Sequence, residues 1–205
     1  MRKPRIAIFA SGTGSNAESL IVKMKALGGK IEFVLSDRSD AGVLEKAMRQ
    51  GVTTYLVEKT AERIDHENEI LKLVDRHKID WVLLAGYMRL ISGHLLEELS
   101  LRHQGQTQIV NVHPSLLPQY PGAKALERAF ADQVSESGVT LHLVDEGMDT
   151  GLVLSQQKLT LHQFEAFSDF KMRMHALEHA MYGELLENIV LGKIPTQTYK
   201  ESAPC

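Results

Sequence analysis

Short apolar runs alternate along the chain with segments in which apolar residues recur every three to four positions. The apolar runs predict strands at residues 5–10, 31–36, 54–57, 81–85, 109–113, 139–144 and 152–157. The periodic segments predict helices at residues 16–27, 41–50, 63–77, 93–99 and 166–191. This alternation is typical of an α/β fold with a twisted, mostly parallel sheet and helices on both faces. Because the sequence contains no repeat or linker, we expect residues 1–205 to form a single domain.

The composition narrows the range of partners. Hydrophobic residues make up 43% of the chain and charged residues 24%, as in ordinary globular proteins. The formal net charge is −3 and no Lys/Arg block is present, which disfavours nucleic acid as a partner. The single cysteine, Cys205, excludes an intrachain disulfide and fits a reducing compartment. No apolar run has the length of a membrane span or signal-peptide core, so we expect a cytoplasmic protein without a membrane partner.

A glycine-rich turn with the sequence Ser-Gly-Thr-Gly-Ser-Asn, residues 11–16, joins the first predicted strand to the first predicted helix. Glycine at Gly14 lets the backbone approach an anion closely, and the amides at a helix N-terminus favour negative charge. Ser15 and Asn16 add side-chain donors, and either residue is suited to cap the helix. We interpret the turn as a phosphate site; an unliganded strand-to-helix turn is the alternative.

The same turn also fits a second kind of ligand. Gly12, Gly14 and Ala17 match the dinucleotide-binding fingerprint, and Asp37 follows about twenty residues later at the end of the second predicted strand. Taken alone, this segment predicts an enzyme of the NAD type.

Asn111 and His113 lie two residues apart at the end of a predicted strand, immediately before Pro114. Their side chains therefore share one face, at the strand end where ligands of open α/β sheets bind. An amide and an imidazole placed together can stabilise a carbonyl oxygen that becomes an oxyanion during acyl transfer. The alternative is a buried core histidine beside a turn-forming asparagine.

Residues 111–118, Asn-Val-His-Pro-Ser-Leu-Leu-Pro, resemble the signature of the folate-dependent formyltransferases. Residues 119–122, Gln-Tyr-Pro-Gly, are similar to the branch of that family that acts on glycinamide ribonucleotide. The resemblance implies a formyltransferase-type, Rossmann-like fold with a nucleotide-binding N-terminal half and a folate-binding, catalytic C-terminal half. It further implies that 10-formyltetrahydrofolate, as co-substrate, donates its formyl group to the amine of glycinamide ribonucleotide in purine biosynthesis.

The resemblance also implies roles for single residues. It matches Asp149 to the family's catalytic aspartate, beside Asn111 and His113, although an Asp before Thr-Gly can also simply set a turn. For the ribonucleotide, the residues implied are Gly14, Ser15, Asn16, His175 and Glu178. For the folate, they are Arg63, Met88, Arg89, Leu90, Ile91, Asn111, Asp145, Glu146, Gly147, Met148 and Asp149.

Several other histidine signals are weaker. His175, Glu178 and His179 fit a zinc-binding pattern, but no third protein ligand is evident, so we expect no metal. His142, inside a predicted strand, is expected to be a core histidine or one that supports a site residue. Many family members have histidines after Pro121-Gly122, whereas this chain has Lys124, which can supply charge near a phosphate but no imidazole.

Four alternatives to the predicted activity stay open. The enzyme could formylate another amine, such as an amino sugar nucleotide, or hydrolyse formyl-folate. The chain could also be a non-catalytic nucleotide-binding module, or the NAD enzyme suggested by the glycine-rich turn. We expect a monomer or a homodimer.

Overall fold

The computed structural model describes residues 2–194, so Cys205 lies outside the described residues. Within that range the strands are β1 (Ile6–Phe9), β2 (Ile31–Ser36), β3 (Thr54–Leu56), β4 (Trp81–Leu84), β5 (Ile109–His113), β6 (Glu136–Leu143) and β7 (Val153–Thr160). The helices are α1 (Ser15–Ala26), α2 (Gly42–Arg49), α3 (Arg63–His77), α4 (Gly93–Arg102), α5 (Ala125–Ala131) and α6 (Phe167–Val190).

The seven strands form one sheet in the order β3-β2-β1-β4-β5-β6-β7. Strands β1 to β5 pair in parallel, while β6 and β7 are antiparallel. All four residues of β1 are fully buried, as expected for a strand covered on both faces. Ile6 and Ile8 face a core shared with α1, α2 and α6, whereas Ala7 and Phe9 face a second core shared with α3 and α4. The predicted fold class is therefore confirmed.

The predicted elements agree with the structure in type, and most ends differ by one to three residues. Helix α5 was not predicted, because its seven residues are too few to show a helical period. Helix α4 continues three residues beyond the predicted end, to Arg102. That arginine is buried because Asp75 and Glu98 pair with its guanidinium at 2.6 and 2.7 Å. None of the helices between residues 2 and 194 is long and apolar enough to cross a membrane.

The direction of the chain reverses at the centre of the sheet. From β1 the connections run outward through β2 and β3, and from β4 they run outward through β5 on the other side. The carboxyl ends of β1, β4 and β5 therefore lie along one edge, with a crevice where β1 and β4 meet. In open α/β sheets, such a switch point is where ligands bind.

Candidate functional site

The side chains of Asn111, His113 and Asp149 meet at this edge of the sheet. Nδ2 of Asn111 lies 3.4 Å from Oδ1 of Asp149, and Nδ1 of His113 lies 3.3 Å from Oδ2 of the same carboxylate. The side chains of His113 and Asp149 are only 6% and 12% exposed. The structure thus joins the three residues that sequence reasoning placed together.

Local backbone geometry positions the carboxylate. Asp149 lies in the loop between β6 and β7 with φ of 57°, a left-handed conformation that aspartate tolerates better than most residues. The amide of Gly122 donates to its Oδ2 at 2.7 Å, which ties this loop to the loop after β5. Two loops distant in sequence are thereby held against the end of β5.

The ring of His113 is oriented by a backbone carbonyl. Its Nε2 lies 2.8 Å from the carbonyl oxygen of Tyr120, which can only accept a hydrogen bond. Nε2 therefore carries the proton of the neutral ring, and Nδ1 is directed at Asp149. When the ring is protonated, Nδ1 also becomes a donor on the side of the carboxylate.

His142 is a third imidazole at the same carboxylate. It pairs with Asn111 across β5 and β6, and its Nε2 lies 3.2 Å from Nδ2 of Asn111 and 3.4 Å from Oδ1 of Asp149. Sequence reasoning named this histidine as a core or supporting residue but did not include it in the site. The antiparallel pairing that brings it opposite Asn111 is not visible in the sequence pattern.

The environment of Asp149 keeps it ionised. Burial raises the pKa of this carboxyl group. Four other effects lower it: the hydrogen bond from His142, the hydrogen bond from the Gly122 amide, and the charges of His113 and His142. Together they lower the pKa of Asp149 to about 2. The group is thus a carboxylate at neutral pH and can support a positive charge on either ring.

The residues expected to hold the ribonucleotide also lie close together. Oε2 of Glu178, in α6, accepts from Nδ2 of Asn16 at 3.0 Å and lies 3.0 Å from Nδ1 of His175. The hydrogen bond to Glu178 raises the pKa of His175. Helix α6 therefore adds polar groups beside the first turn of α1.

Gly14 occupies the cap position of α1 with φ of 79°, and no side chain accepts from the first helical amides. The prediction that Ser15 or Asn16 caps this helix is therefore wrong, because the cap falls one residue earlier. A Cβ atom added at Gly14 would lie 2.6 Å from Cβ of Val43, so both the backbone angle and the packing require glycine. Helix α1 begins just after the carboxyl end of β1, and amides at a helix N-terminus favour an anion.

The interpretation of Asp37 as a ribose ligand of a dinucleotide is not supported by its contacts. Its Oδ1 accepts from the hydroxyl of Ser11 at 2.5 Å, and that hydroxyl in turn accepts from the amide of Met88 at 2.9 Å. The amide of Ser11 donates to the carbonyl of Gly86 at 3.0 Å. Asp37 thus fixes the glycine-rich turn to the segment that follows β4.

The expected folate segment, residues 86–91, follows β4 and is bonded to the glycine-rich turn through Ser11. Met88 and Leu90 are 78% and 59% exposed, Arg89 is half-buried and Ile91 is buried. The guanidinium of Arg63 donates to the carbonyl of Leu90 and therefore lies beside this segment; the expected contact of Arg63 with folate stays a prediction.

The loop that contains residues 145–149 approaches the end of the same segment. Two side chains of this loop pack closely against glycines. A Cβ atom added at Gly93 would lie 3.1 Å from Oε1 of Glu146, and a Cβ atom added at Gly122 would lie 2.7 Å from Sδ of Met148. Glu146, Gly147 and Met148 are exposed. Asp145 instead accepts from the Gly147 amide and the Thr150 hydroxyl, at 3.0 and 2.7 Å, and so holds the loop itself.

Two features of the sequence remain, the zinc-binding pattern at His175 to His179 and the lysine at position 124. Among residues 2–194, no group of three or more His, Cys, Asp or Glu side chains is placed to hold a metal ion, and this applies to His175 and His179. Lys124 is exposed and has φ of 56° at the position before α5.

Comparison with known proteins places the chain in a family. Residues 4–186 match the formyl transferase family. The phosphoribosylglycinamide formyltransferase of Bacillus subtilis is 32% identical over 190 residues, which cover 91% of this chain and 94% of that protein. The crystal structure of the Streptococcus pneumoniae phosphoribosylglycinamide formyltransferase is similar, with 38% identity, a TM-score of 0.82 and coverage of 92% and 99%. The crystal structure of glycinamide ribonucleotide transformylase 1 from Geobacillus kaustophilus is 37% identical in sequence, with a TM-score of 0.85. The match covers 92% of this chain and 100% of that one. The chain therefore belongs to the formyl transferase family.

Proposed function

We propose that this chain transfers the formyl group of 10-formyltetrahydrofolate to the amine of glycinamide ribonucleotide, a step of purine biosynthesis. The observation that carries this proposal is the convergence of Asn111, His113 and Asp149 at the carboxyl edge of the sheet. Relatives of the same length and the same fold have this activity in their names. In acyl transfer to an amine, an amide and an imidazole can stabilise the oxyanion, and an imidazole and a carboxylate can transfer the protons.

The triad performs the reaction in two stages. The amine nitrogen attacks the formyl carbon, and the formyl oxygen gains negative charge, which Nδ2 of Asn111 and Nδ1–H of protonated His113 stabilise. A water molecule held by Asp149 accepts the proton that the amine loses. The bond from the formyl carbon to the folate nitrogen then breaks as that nitrogen takes the proton of His113. The proton left beside Asp149 returns to His113 across 3.3 Å, which restores the site.

The ribonucleotide phosphate is placed on Gly14, Ser15 and Asn16, where the first amides of α1 favour an anion. Glu178 and His175 then contact the sugar side of the same molecule, since Glu178 bonds to Asn16. The N-terminal half thus supplies the nucleotide site, and α6 completes it from the C-terminal half.

The folate is placed between residues 86–91 and residues 145–149, so that its formyl group reaches Asn111. Arg63 and Arg89 offer positive charge to its carboxylates. The exposed side chains of Met88 and Leu90 offer apolar surface to its ring. Holding both substrates in one crevice removes much of the entropic part of the barrier.

The amine acceptor is the feature that an experiment must test first. The purified chain is incubated with 10-formyltetrahydrofolate and a panel of amines that includes glycinamide ribonucleotide and an amino sugar nucleotide. Formylation of glycinamide ribonucleotide alone is the expected result. Consumption of another amine instead, release of formate without any amine, or binding without turnover would each contradict the proposal.

A variant pair tests the role of the triad in the same assay. His113→Ala is expected to lose formyl transfer while it keeps its thermal melting transition. His162→Ala, which changes an exposed histidine outside the crevice, serves as the matched control. A folded His113→Ala variant with activity within a few-fold of the unmodified chain would remove His113 from this role. Cytoplasmic location and a monomeric or homodimeric state stay predictions.

A further inference from the structure

Glu67 is a buried carboxylate in α3 that the proposed mechanism does not use. It is only 3% exposed, although glutamate is rarely so buried unless it is paired. Its partners all belong to one region, the end of the segment at residues 86–91 and the arginine that contacts that segment. The contacts of Glu67 therefore act on this segment and not only on the stability of α3.

The two oxygens of Glu67 hold the residue that follows this segment. Oε1 accepts from the amide of Ser92 at 3.2 Å, and Oε2 accepts from the Ser92 hydroxyl. The same hydroxyl accepts from the amide of Leu95 at 3.3 Å and so caps α4. Glu67 therefore fixes the point at which the segment ends and α4 begins.

The same carboxylate also directs Arg63. Nε of Arg63 lies 3.3 Å from Oε1 of Glu67, while another nitrogen of the guanidinium donates to the carbonyl of Leu90. The Arg63 side chain is 48% exposed, so without these two partners it would sample many rotamers. One buried charge thus sets the position of both the segment and the cation beside it.

The other end of the segment has its own neutral anchors. The amide of Met88 donates to Ser11, and the hydroxyl of Tyr87 lies 3.1 Å from Nε2 of the buried His66. Between these anchors and Ser92 the chain holds the apolar side chains of Met88 and Leu90 in solvent, where they gain nothing from burial. A segment restrained at both ends, with apolar side chains presented outward, is preorganised to receive a ligand.

We propose that Glu67 is a positioning residue for folate: it fixes Ser92 and Arg63 so that residues 86–91 and the Arg63 guanidinium present a preformed surface to the co-substrate. This proposal rests on the proposed function. It assigns to Glu67 an effect on formyl-folate binding and none on ribonucleotide binding, because its contacts lie on the β4 side of the crevice.

The experiment compares Glu67→Gln with Glu45→Gln. Glu45 also forms an i,i+4 pair with an arginine, Arg49, in the reverse order and on an exposed face of α2, so it is the control for losing a glutamate–arginine pair in a helix. For Glu67→Gln we expect the KM for 10-formyltetrahydrofolate and the Kd for tetrahydrofolate to rise about tenfold, the usual effect of losing a hydrogen bond to a charged group. The KM for glycinamide ribonucleotide should stay unchanged. Glu67→Asp, which keeps the charge, should recover part of the folate affinity, whereas a purely structural role would show the same loss for both variants.

Each outcome decides the proposal. A Glu67→Gln variant that matches Glu45→Gln in both folate measurements, or that weakens both substrates equally, would overturn the role of Glu67 and leave the proposed function intact. If Glu67→Gln does not fold, Ser92→Ala must raise the same folate constants, and unchanged constants would overturn the proposal. An unmodified chain that neither binds tetrahydrofolate nor transfers the formyl group would overturn the proposed function, and the role of Glu67 with it.

Discussion

Nδ1 of His113 lies 3.3 Å from Oδ2 of Asp149, while Nε2 of the same ring donates to the carbonyl of Tyr120 at 2.8 Å. The imidazole therefore has a single nitrogen to offer to a substrate, and that nitrogen faces the carboxylate. Proton exchange between the two residues needs no change of rotamer. This geometry lets Asp149 act on the reaction both through its charge and as the route by which His113 recovers its proton.

Removing the charge of Asp149 tests this arrangement directly. Asp149→Asn keeps the shape of the side chain, but it can neither stabilise protonated His113 nor hold a proton-accepting water. We expect kcat for formyl transfer to fall by about 10²-fold or more, the range of a lost acid–base group. Steady-state kinetics measure the effect, and Asp40→Asn, at an exposed ion pair with Arg38, is the control. A decrease of only a few-fold would show that the carboxylate is not part of the chemistry.

His142 should tune the same carboxylate. Its hydrogen bond lowers the pKa of Asp149, and it also contacts Asn111, so His142→Gln should raise that pKa and loosen the amide. We expect kcat to fall about tenfold, less than for His113→Ala. The acid limb of the pH–rate profile should move to higher pH, because Asp149 then takes up a proton earlier. A profile with an unchanged acid limb would mean that His142 does not act through Asp149.

Much of the fold could be predicted because its central strands β1, β2 and β4 are buried on both faces. Runs such as Ile6–Phe9 and Trp81–Leu84 are continuously apolar, and the helices between them show a helical period of apolar residues, so element type and order follow from the pattern alone. Helix α5 escaped prediction because its seven residues show no period. The C-terminal end of α4 was also not predicted, because Arg102 is buried by ion pairs and not by apolar character.

The sequence predicted the site from its pattern only where the site residues lie in one short segment. Asn111 and His113 share a strand, so their common face follows from the sequence. The contacts of Asp149 with Asn111 and of Glu67 with Ser92 join residues 38 and 25 positions apart in the chain, and strand pairing and loop path decide them. Asp149 itself came from a family resemblance, since nothing in its own loop distinguishes it from a turn residue.

Gly14 should not tolerate any side chain. Gly14→Ala would force alanine into a left-handed conformation and place its Cβ 2.6 Å from Val43. The two effects together should lower the free energy of unfolding by about 3 kcal/mol. Gly12→Ala is the control, because a Cβ atom there meets nothing within 4 Å. Chemical denaturation measures both variants, and equal stabilities would contradict the packing described for this turn.

His175 should make ribonucleotide binding depend on pH. Its hydrogen bond to Glu178 raises its pKa, so the stability that this pair contributes is present below the ordinary value near 6.5 and is lost as the pH rises through the raised pKa. A protonated ring also attracts the anionic ribonucleotide. We expect calorimetry to show tighter binding at pH 6 than at pH 9, and a smaller difference for His175→Gln. The same pH dependence in both proteins would assign it to another group.

The low pKa of Asp149 should also contribute to the stability of the fold in acid. A carboxyl group whose pKa is lowered to about 2 in the folded chain stabilises it above the unfolded value near 3.8, and this contribution is lost as the pH falls towards 2. The difference in unfolding free energy between the unmodified chain and Asp149→Asn should therefore shrink by about 1 kcal/mol between pH 6 and pH 3. Urea denaturation across this range measures it, and other carboxylates cancel in the difference. Parallel curves would mean that Asp149 titrates in the folded chain as it does in the unfolded one, and the partners identified around it would then not hold its charge.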